Sequence, residues 1–214
     1  PENEMSRYWP CNKHIIGKDI KWFHCVIWPT MLMSAGVPLF HSVFAHGFVN
    51  AADGRKMSKS FNNTIDPNEI MSKYPLDSVR YYMLSAATYG SDLNFSEPGL
   101  ITMHNSELAD VLGNLVHRVL NLTHKYCGGV IPDTQHDSAF ALPFDFKALM
   151  EEMPDIAKDC QLNVLAFKGM EAVRATNKFL TDTEPWKMKG DDEARRAPVV
   201  RTTLEALYAF SHFL

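Results

Sequence analysis

Seven consecutive residues, Gly54-Arg55-Lys56-Met57-Ser58-Lys59-Ser60, hold the densest chemistry in the chain. Three cations within five positions, two hydroxyls and a hinge glycine can wrap a polyphosphate: the ammonium groups meet the oxyanions while hydroxyls and backbone N–H groups donate beside them. An ammonium on a flexible stem can also follow negative charge onto a departing pyrophosphate, which displacement at phosphorus requires. A solvated basic turn has the same composition. The pentapeptide at 56–60, however, arises by chance in a chain of this length only about once in ten thousand sequences, which favours the phosphate reading.

A second polar pattern lies downstream. Asn114, Arg118, Asn121 and Lys125 recur at i, i+4, i+7 and i+11, opposite apolar Leu108, Val111, Leu112, Leu115, Val119 and Leu122. One helix would then carry a buried stripe and a face of amides and cations. Such a face can read base edges or hold phosphate; a merely solvated face looks the same in sequence.

These groups need elements to position them. Residues 8–16 are aromatic and β-branched and are closed by Gly17, which predicts a strand running into a turn. From Asp19 the apolar residues follow helical spacing up to Gly36 and Pro38, with Pro29 expected to kink or split the helix. Residues 42–49 read as a largely buried strand. Strand, helix and strand make one βαβ unit of an α/β sheet, and one such unit cannot cover two sheet faces. The 50–63 stretch reads as a mobile loop. Short helices are expected over 67–73, with Asp66 as N-cap before Pro67, and over 77–85. Beyond Gly99 long helices are expected over 101–126, 155–181 and 193–214, a helical bundle.

Composition narrows the class. The chain has 214 residues with 46% hydrophobic and 21% charged, which is globular, and its apolar runs fall short of a bilayer span. Net charge is -4, from 21 Lys plus Arg against 25 Asp plus Glu, so any nucleic-acid contact must be local. Cys11, Cys25, Cys127 and Cys160 form no C-x-x-C pair, so no zinc knuckle is encoded and reduced thiols are expected, with Cys25 buried beside Val26 and Ile27. A soluble, cytoplasmic chain with no membrane partner is the reading. The chain opens on Pro1-Glu2-Asn3 and closes on Phe213-Leu214 in mid-pattern, so it is expected to be a piece of something longer.

Taken together, these blocks resemble the methionyl-tRNA synthetases, a family of class I aminoacyl-tRNA synthetases. Lys56 to Ser60 matches the family's KMSKS motif. His14-Ile-Ile-Gly17-Lys18-Asp19-Ile20, Phe23-His24, Trp28-Pro29 and Phe44-Ala-His46-Gly47-Phe48-Val49 look like the second half of its catalytic domain. Asp66-Pro67, Asp77-Ser78-Val79-Arg80 and Asp92-Leu93-Asn94-Phe95 resemble its stem-contact segment, and Asn114 to Arg118 with Glu184-Pro185-Trp186 its anticodon-binding helices. The resemblance covers nearly the whole chain, least distinctively over 135–154.

The resemblance implies the second half of a doubly wound, Rossmann-like nucleotide-binding domain (1–50), the KMSKS loop and stem-contact segment (51–100), and a truncated α-helical anticodon-binding bundle (101–214): α/β plus all-α. It implies a ligase that activates methionine with ATP, Mg2+ accompanying the ATP, and passes methionyl to its tRNA. Lys59 and Lys56 would be catalytic, binding the triphosphate with Ser58. Gly17 would let the backbone approach the nucleotide, Asp19 would accept from the ribose hydroxyls or serve as an N-cap, and His46, Gly47 and Val49 would line the adenine or end a buried strand. Ile20, Phe23, His24 and Trp28 would line the methionine pocket, with core packing as the rival for the rings. Asn114, Arg118 and Trp186 would read the anticodon, Trp186 near a helix start, with ordinary core as the alternative for the indole.

The departures matter as well. The chain contains no His-x-Gly-His to supply the family's HIGH motif, and lacks the zinc-bearing insertion and the first-half aromatics of the methionine pocket. The resemblance therefore implies that this chain alone is inactive, that it holds no metal, zinc included, and that its partner is the N-terminal half of the same enzyme. Two rival readings are a catalytically silent tRNA-binding module and a class I synthetase for another aliphatic amino acid, or an adenylylating relative.

Overall fold

A strand, a helical segment and a second, parallel strand open the fold. In the computed structural model, which describes residues 4–88, 90–134 and 142–212, β1 (His14–Gly17) pairs in parallel with β2 (Val43–His46), placing Gly17 opposite His46. The βαβ reading holds. The first strand is shorter than the expected 8–16, beginning at His14.

The crossover is helical from Lys18 to Ser34 and changes pitch on the way: a 3-10 turn (Lys18–Ile20), a π turn (Phe23–Ile27) and α1 (Trp28–Ser34). Trp28 donates its N–H to the Phe23 carbonyl, five residues back, and Pro29, which has no N–H to give, stands in the first turn of α1. The split expected at Pro29 is thus a change of helix width. Gly36, at φ 65, ends the segment, with Val37 N–H bonding back to Leu32 O at 2.9 Å. Cys25 is exposed, correcting the expected buried thiol: its neighbours Val26 and Ile27 are exposed with it.

A second parallel pair, β3 (Val49–Asn50) with β4 (Leu93–Asn94), follows. The helix α2 (Pro67–Lys73) coincides with the expected one, and Asp66 Oδ1 caps Asn68 N–H at 2.8 Å. Two compact units result: Pro1–Lys73 with Ala86–Ser96, and Tyr74–Ser85 with Glu97–Leu214.

The second unit is helical. It contains α3 (Leu76–Ser85), then α4 (Glu97–Met103), a π stretch (His104–Gly113) and α5 (Asn114–Cys127) in one run. The expected 155–181 helix is in fact two, α6 (Phe146–Lys158) and α7 (Leu162–Thr183), separated at Cys160, whose φ is 58. Residues 146–154 lie outside the expected helix. Asp145 nonetheless caps the start, accepting from Ala148 N–H at 2.9 Å, and Pro154 is carried within α6. The last expected helix is a 3-10 stretch (Gly190–Arg195) leading into α8 (Arg196–Phe210); residues 213 and 214 lie outside the described residues. Leu115, Val119 and Leu122 of the apolar stripe pack with Met170, Val173, Leu180, Val200 and Phe210 to form the core.

Candidate functional site

The carboxyl ends of β1 and β2, where parallel α/β sheets receive ligands, carry Gly17 and His46 side by side. A Cβ placed on Gly17 would stand 2.6 Å from Asp19 Oδ1, so only glycine lets that carboxylate fold back over the backbone. Gly17, not Asp19, occupies the N-cap position, without a side-chain cap bond, and Asp19 lies exposed in the first turn. The N-cap alternative for Asp19 is therefore replaced by a carboxylate presented beside a bare backbone.

Past the end of β2, His46 Nδ1 donates to the Gly47 carbonyl at 2.9 Å. Gly47 is buried, and a Cβ there would meet Ser91 O at 2.1 Å and Asp92 N at 2.6 Å, so this glycine joins two backbones. Val49 is 42% exposed, so its side chain is not the end of a buried strand. Asp92 accepts from Phe48 N–H at 2.8 Å and from Lys18 Nζ at 2.6 Å. The Lys18 bond, then the Phe48 N–H, holds the Asp92 carboxyl below the usual carboxylate range. The Phe48 ring lies under two ammonium groups, Lys18 at 4.9 Å and Lys56 at 5.3 Å from its centroid. The basic loop is thereby brought to the same edge as the Gly17–Asp19 turn.

Local bonds shape that loop. Ala51 N–H reaches Arg55 O at 2.9 Å, Asn50 and Lys56 form an antiparallel bridge, and Asp53 accepts from Arg55 N–H and Nε, which lowers its carboxyl pKa. The Asn63 carboxamide spans the basic segment: Oδ1 accepts from Ser58 N–H at 2.8 Å and Nδ2 donates to Lys56 O at 3.2 Å. Ser58 Oγ lies 2.6 Å from Ser60 Oγ, and a 3-10 turn (Lys59–Phe61) closes on Asn62 at φ 49. Lys56 and Lys59 are exposed.

On the crossover, Ile20 and His24 share one face, His24 Nδ1 donating to the Ile20 carbonyl at 3.1 Å. His24 stands edge-on to Trp28 at 5.7 Å, and Trp28 belongs to a ring cluster with Trp9, His14 and Phe40. Phe23 is 58% exposed, so the core-packing alternative for it falls in this chain, whereas half-buried Trp28 both packs and borders the His24 face. His14, not singled out from the sequence, stands in this ring cluster with its Nε2 buried and without a partner among the described residues.

In the second unit Arg118 and Trp186 meet, the guanidinium 5.3 Å from the indole centroid. Arg118 Nη1 also donates to Asn177 Oδ1 at 3.4 Å, and Asn177 Nδ2 to Val111 O at 3.0 Å. Asn114 is exposed one turn before Arg118. Trp186, 37% exposed, follows the C-terminal end of α7, not a helix start, because Glu184 turns left-handed at φ 42 before Pro185. Arg196 was also missed: it is buried, its Nε donates to Pro185 O at 2.9 Å, Nη2 to Met188 O and Nη1 to Glu193 at 2.9 Å, and it lies 4.1 Å over the Tyr126 ring. Its sequence position in an Arg195-Arg196 pair gave no sign of burial.

Among the described residues no three His, Cys, Asp or Glu gather as a metal-binding group, and no helix is long and apolar enough to cross a membrane. Residues 1–120 match the family model for tRNA synthetases class I (M). The chain is 37% identical over 217 residues to a methionine–tRNA ligase of Thermosynechococcus vestitus, covering 99% of this chain and 41% of that protein. It is 39% identical to one from a Nostoc species, again covering 41% of the relative. It superimposes on Mycobacterium tuberculosis methionyl-tRNA synthetase in complex with methionyl-adenylate with a TM-score of 0.88 at 33% identity, over 99% of this chain and 43% of that one. The chain thus spans about two fifths of the length of these relatives.

Proposed function

Because the chain belongs to the methionyl class I tRNA synthetases, we propose that it forms the KMSKS side of the active site, a stem-contact segment and a truncated anticodon-binding bundle of such an enzyme. The carrying observation is that Lys56 shares the Phe48 ring with Lys18, whose chain neighbour Asp19 is presented over Gly17 at the end of β1. Domain limits near residues 50 and 100 follow from this reading.

The enzyme would join the methionine carboxylate to the α-phosphorus of ATP and break the bond to pyrophosphate, giving methionyl-adenylate; the terminal ribose of the tRNA then attacks the methionyl carbonyl and AMP leaves. Asp19 accepts from the ribose hydroxyls, and Gly17, His46, Gly47 and Val49 border the adenine, largely through main chain. Lys56, Ser58 and Lys59 meet the triphosphate, Lys59 following charge onto the leaving pyrophosphate. Ile20, His24, Trp28 and the exposed Phe23 take the methionine side chain. Mg2+ would enter on the phosphates of ATP, and zinc is not assigned to this chain. Trp186 stacks on an unpaired anticodon base while Arg118 and Asn114 offer a guanidinium and an amide. The enzyme is placed in the cytoplasm.

The missing His-x-Gly-His sets the test. Methionine-dependent ATP–pyrophosphate exchange is expected from the chain together with an N-terminal half carrying that motif, and not from the 214 residues alone. Exchange by the isolated chain, or none by the completed enzyme, overturns the reading.

A further inference from the structure

Trp186 sits on a turn between the end of α7 and the Gly190–Arg195 stretch, where Lys187 N–H returns to Glu184 O at 2.8 Å and the exposed Lys187 ammonium pairs with the Glu184 carboxylate at 2.6 Å. An indole on such a turn, 37% exposed, would sample many orientations unless something fixes the backbone on both sides. One side chain does so. Arg196 reaches from the first turn of α8 and donates to the carbonyls of Pro185 and Met188, the residue before Trp186 and the one two after it. The same guanidinium stacks on Tyr126 from α5 and pairs with Glu193.

A charge is seldom buried when a cheaper group would do, since desolvating a guanidinium is costly. Leucine could fill the volume at 196 but could not satisfy the two carbonyls. The rigid fork of five donors is the side chain suited to hold two backbone acceptors at fixed separation while lying flat on a ring. Arg118 approaches Trp186 as a second cation, at 5.3 Å, and is itself tied to Asn177. The indole is therefore set by two arginines: one fixes the turn that carries it, the other lies against its ring.

We propose that Arg196 is a positioning residue for RNA recognition, holding the 185–188 turn so that the Trp186 face is pre-set for an unpaired base. This rests on the reading that Trp186 meets the anticodon. Pre-setting removes the ordering cost at the moment of binding, so its loss appears in RNA affinity and not in methionine activation.

Aminoacylation by the completed enzyme tests it, with its tRNA as the varied substrate. Trp186→Ala is expected to raise the tRNA KM about tenfold to a hundredfold, the range for losing one base stack. Arg196→Lys, which keeps charge but not the fork, and Arg196→Met are expected to raise it several-fold or more, with pyrophosphate exchange unchanged. Combining either with Trp186→Ala should add little, because both changes remove the same stacked base. A general loosening of the bundle would instead add to the tryptophan change. Should Arg196→Met fail to fold, Arg196→Lys with 5-fluorotryptophan at 186 keeps the test: the fluorine resonance is expected to broaden or split.

An unchanged tRNA KM for Arg196→Lys beside a raised one for Trp186→Ala overturns the positioning role, as do additive effects. An unchanged KM for Trp186→Ala itself overturns the anticodon reading.

Discussion

Two segments for which functions are proposed are held in different ways. The 56–60 segment is tied by the half-buried Asn63 carboxamide, by a bridge between Asn50 and Lys56 and by short local bonds at Ser58, while its two lysines stand exposed and Lys56 rests on Phe48. The 185–188 turn is locked from within by buried Arg196, which satisfies two carbonyls and lies on Tyr126. The difference matches the two tasks proposed for them. A loop proposed to follow charge from ATP to pyrophosphate needs ties that break easily, whereas a surface proposed to present one ring to one base gains from being built in advance.

Substitutions sharpen the contrast, and the largest effect is expected in the loop. Lys59→Ala should lower the pyrophosphate-exchange rate of the completed enzyme by about a hundredfold to a thousandfold, as removal of a transition-state donor does, with little change in methionine KM or thermal stability. Retention of full rate would remove Lys59 from the mechanism. Arg196→Ala should do the reverse, destabilising the helical unit by about 3 kcal/mol through its lost charged hydrogen bonds and the carbonyls left behind, as urea unfolding would report. Gly47→Ala should cost the first unit about 1–3 kcal/mol or more, since its Cβ would lie 2.1 Å from the Ser91 carbonyl.

Gly17→Ala is expected to be gentler on stability, because its Cβ meets the end of the Asp19 side chain, which can swing away. The swing should instead raise the KM for ATP, and an unchanged KM would separate Asp19 from the nucleotide. The smallest effect concerns pH. The Asp92 carboxyl is lowered by Lys18 and the Phe48 N–H, so its stabilising tie is present above the ordinary carboxylate range and is lost as pH falls through the lowered value. An NMR titration of Asp92 should show that low midpoint, moving up toward the ordinary value in Lys18→Met.

Much of this was legible in sequence. The βαβ unit, α2 with its Asp66 cap and the buried stripe of α5 all followed from spacing, because each depends on local residue types. The residues that escaped, Asn63, Phe48, Arg196 and His14, act through contacts that no period announces. Asn63 closes a loop of its own making, Phe48 joins cations 38 positions apart in sequence (56 minus 18), and Arg196 reaches back to a turn eleven residues earlier. Cys25 misled because apolar neighbours imply burial only where they are themselves covered, and Val26 and Ile27 are both exposed. Residues 146–154 lie outside the expected helix, yet a helix capped well at its start holds them and carries a proline inside.

Hydrogen exchange on the completed enzyme tests the contrast most directly, comparing peptides over 55–61 and 184–189. The account predicts fast exchange at Ser58, slowed when ATP and methionine bind, and protection at Lys187 that needs no ligand and falls in Arg196→Lys. Equal protection of the two segments without ligand, or a 184–189 peptide that becomes protected only when tRNA is added, would contradict it.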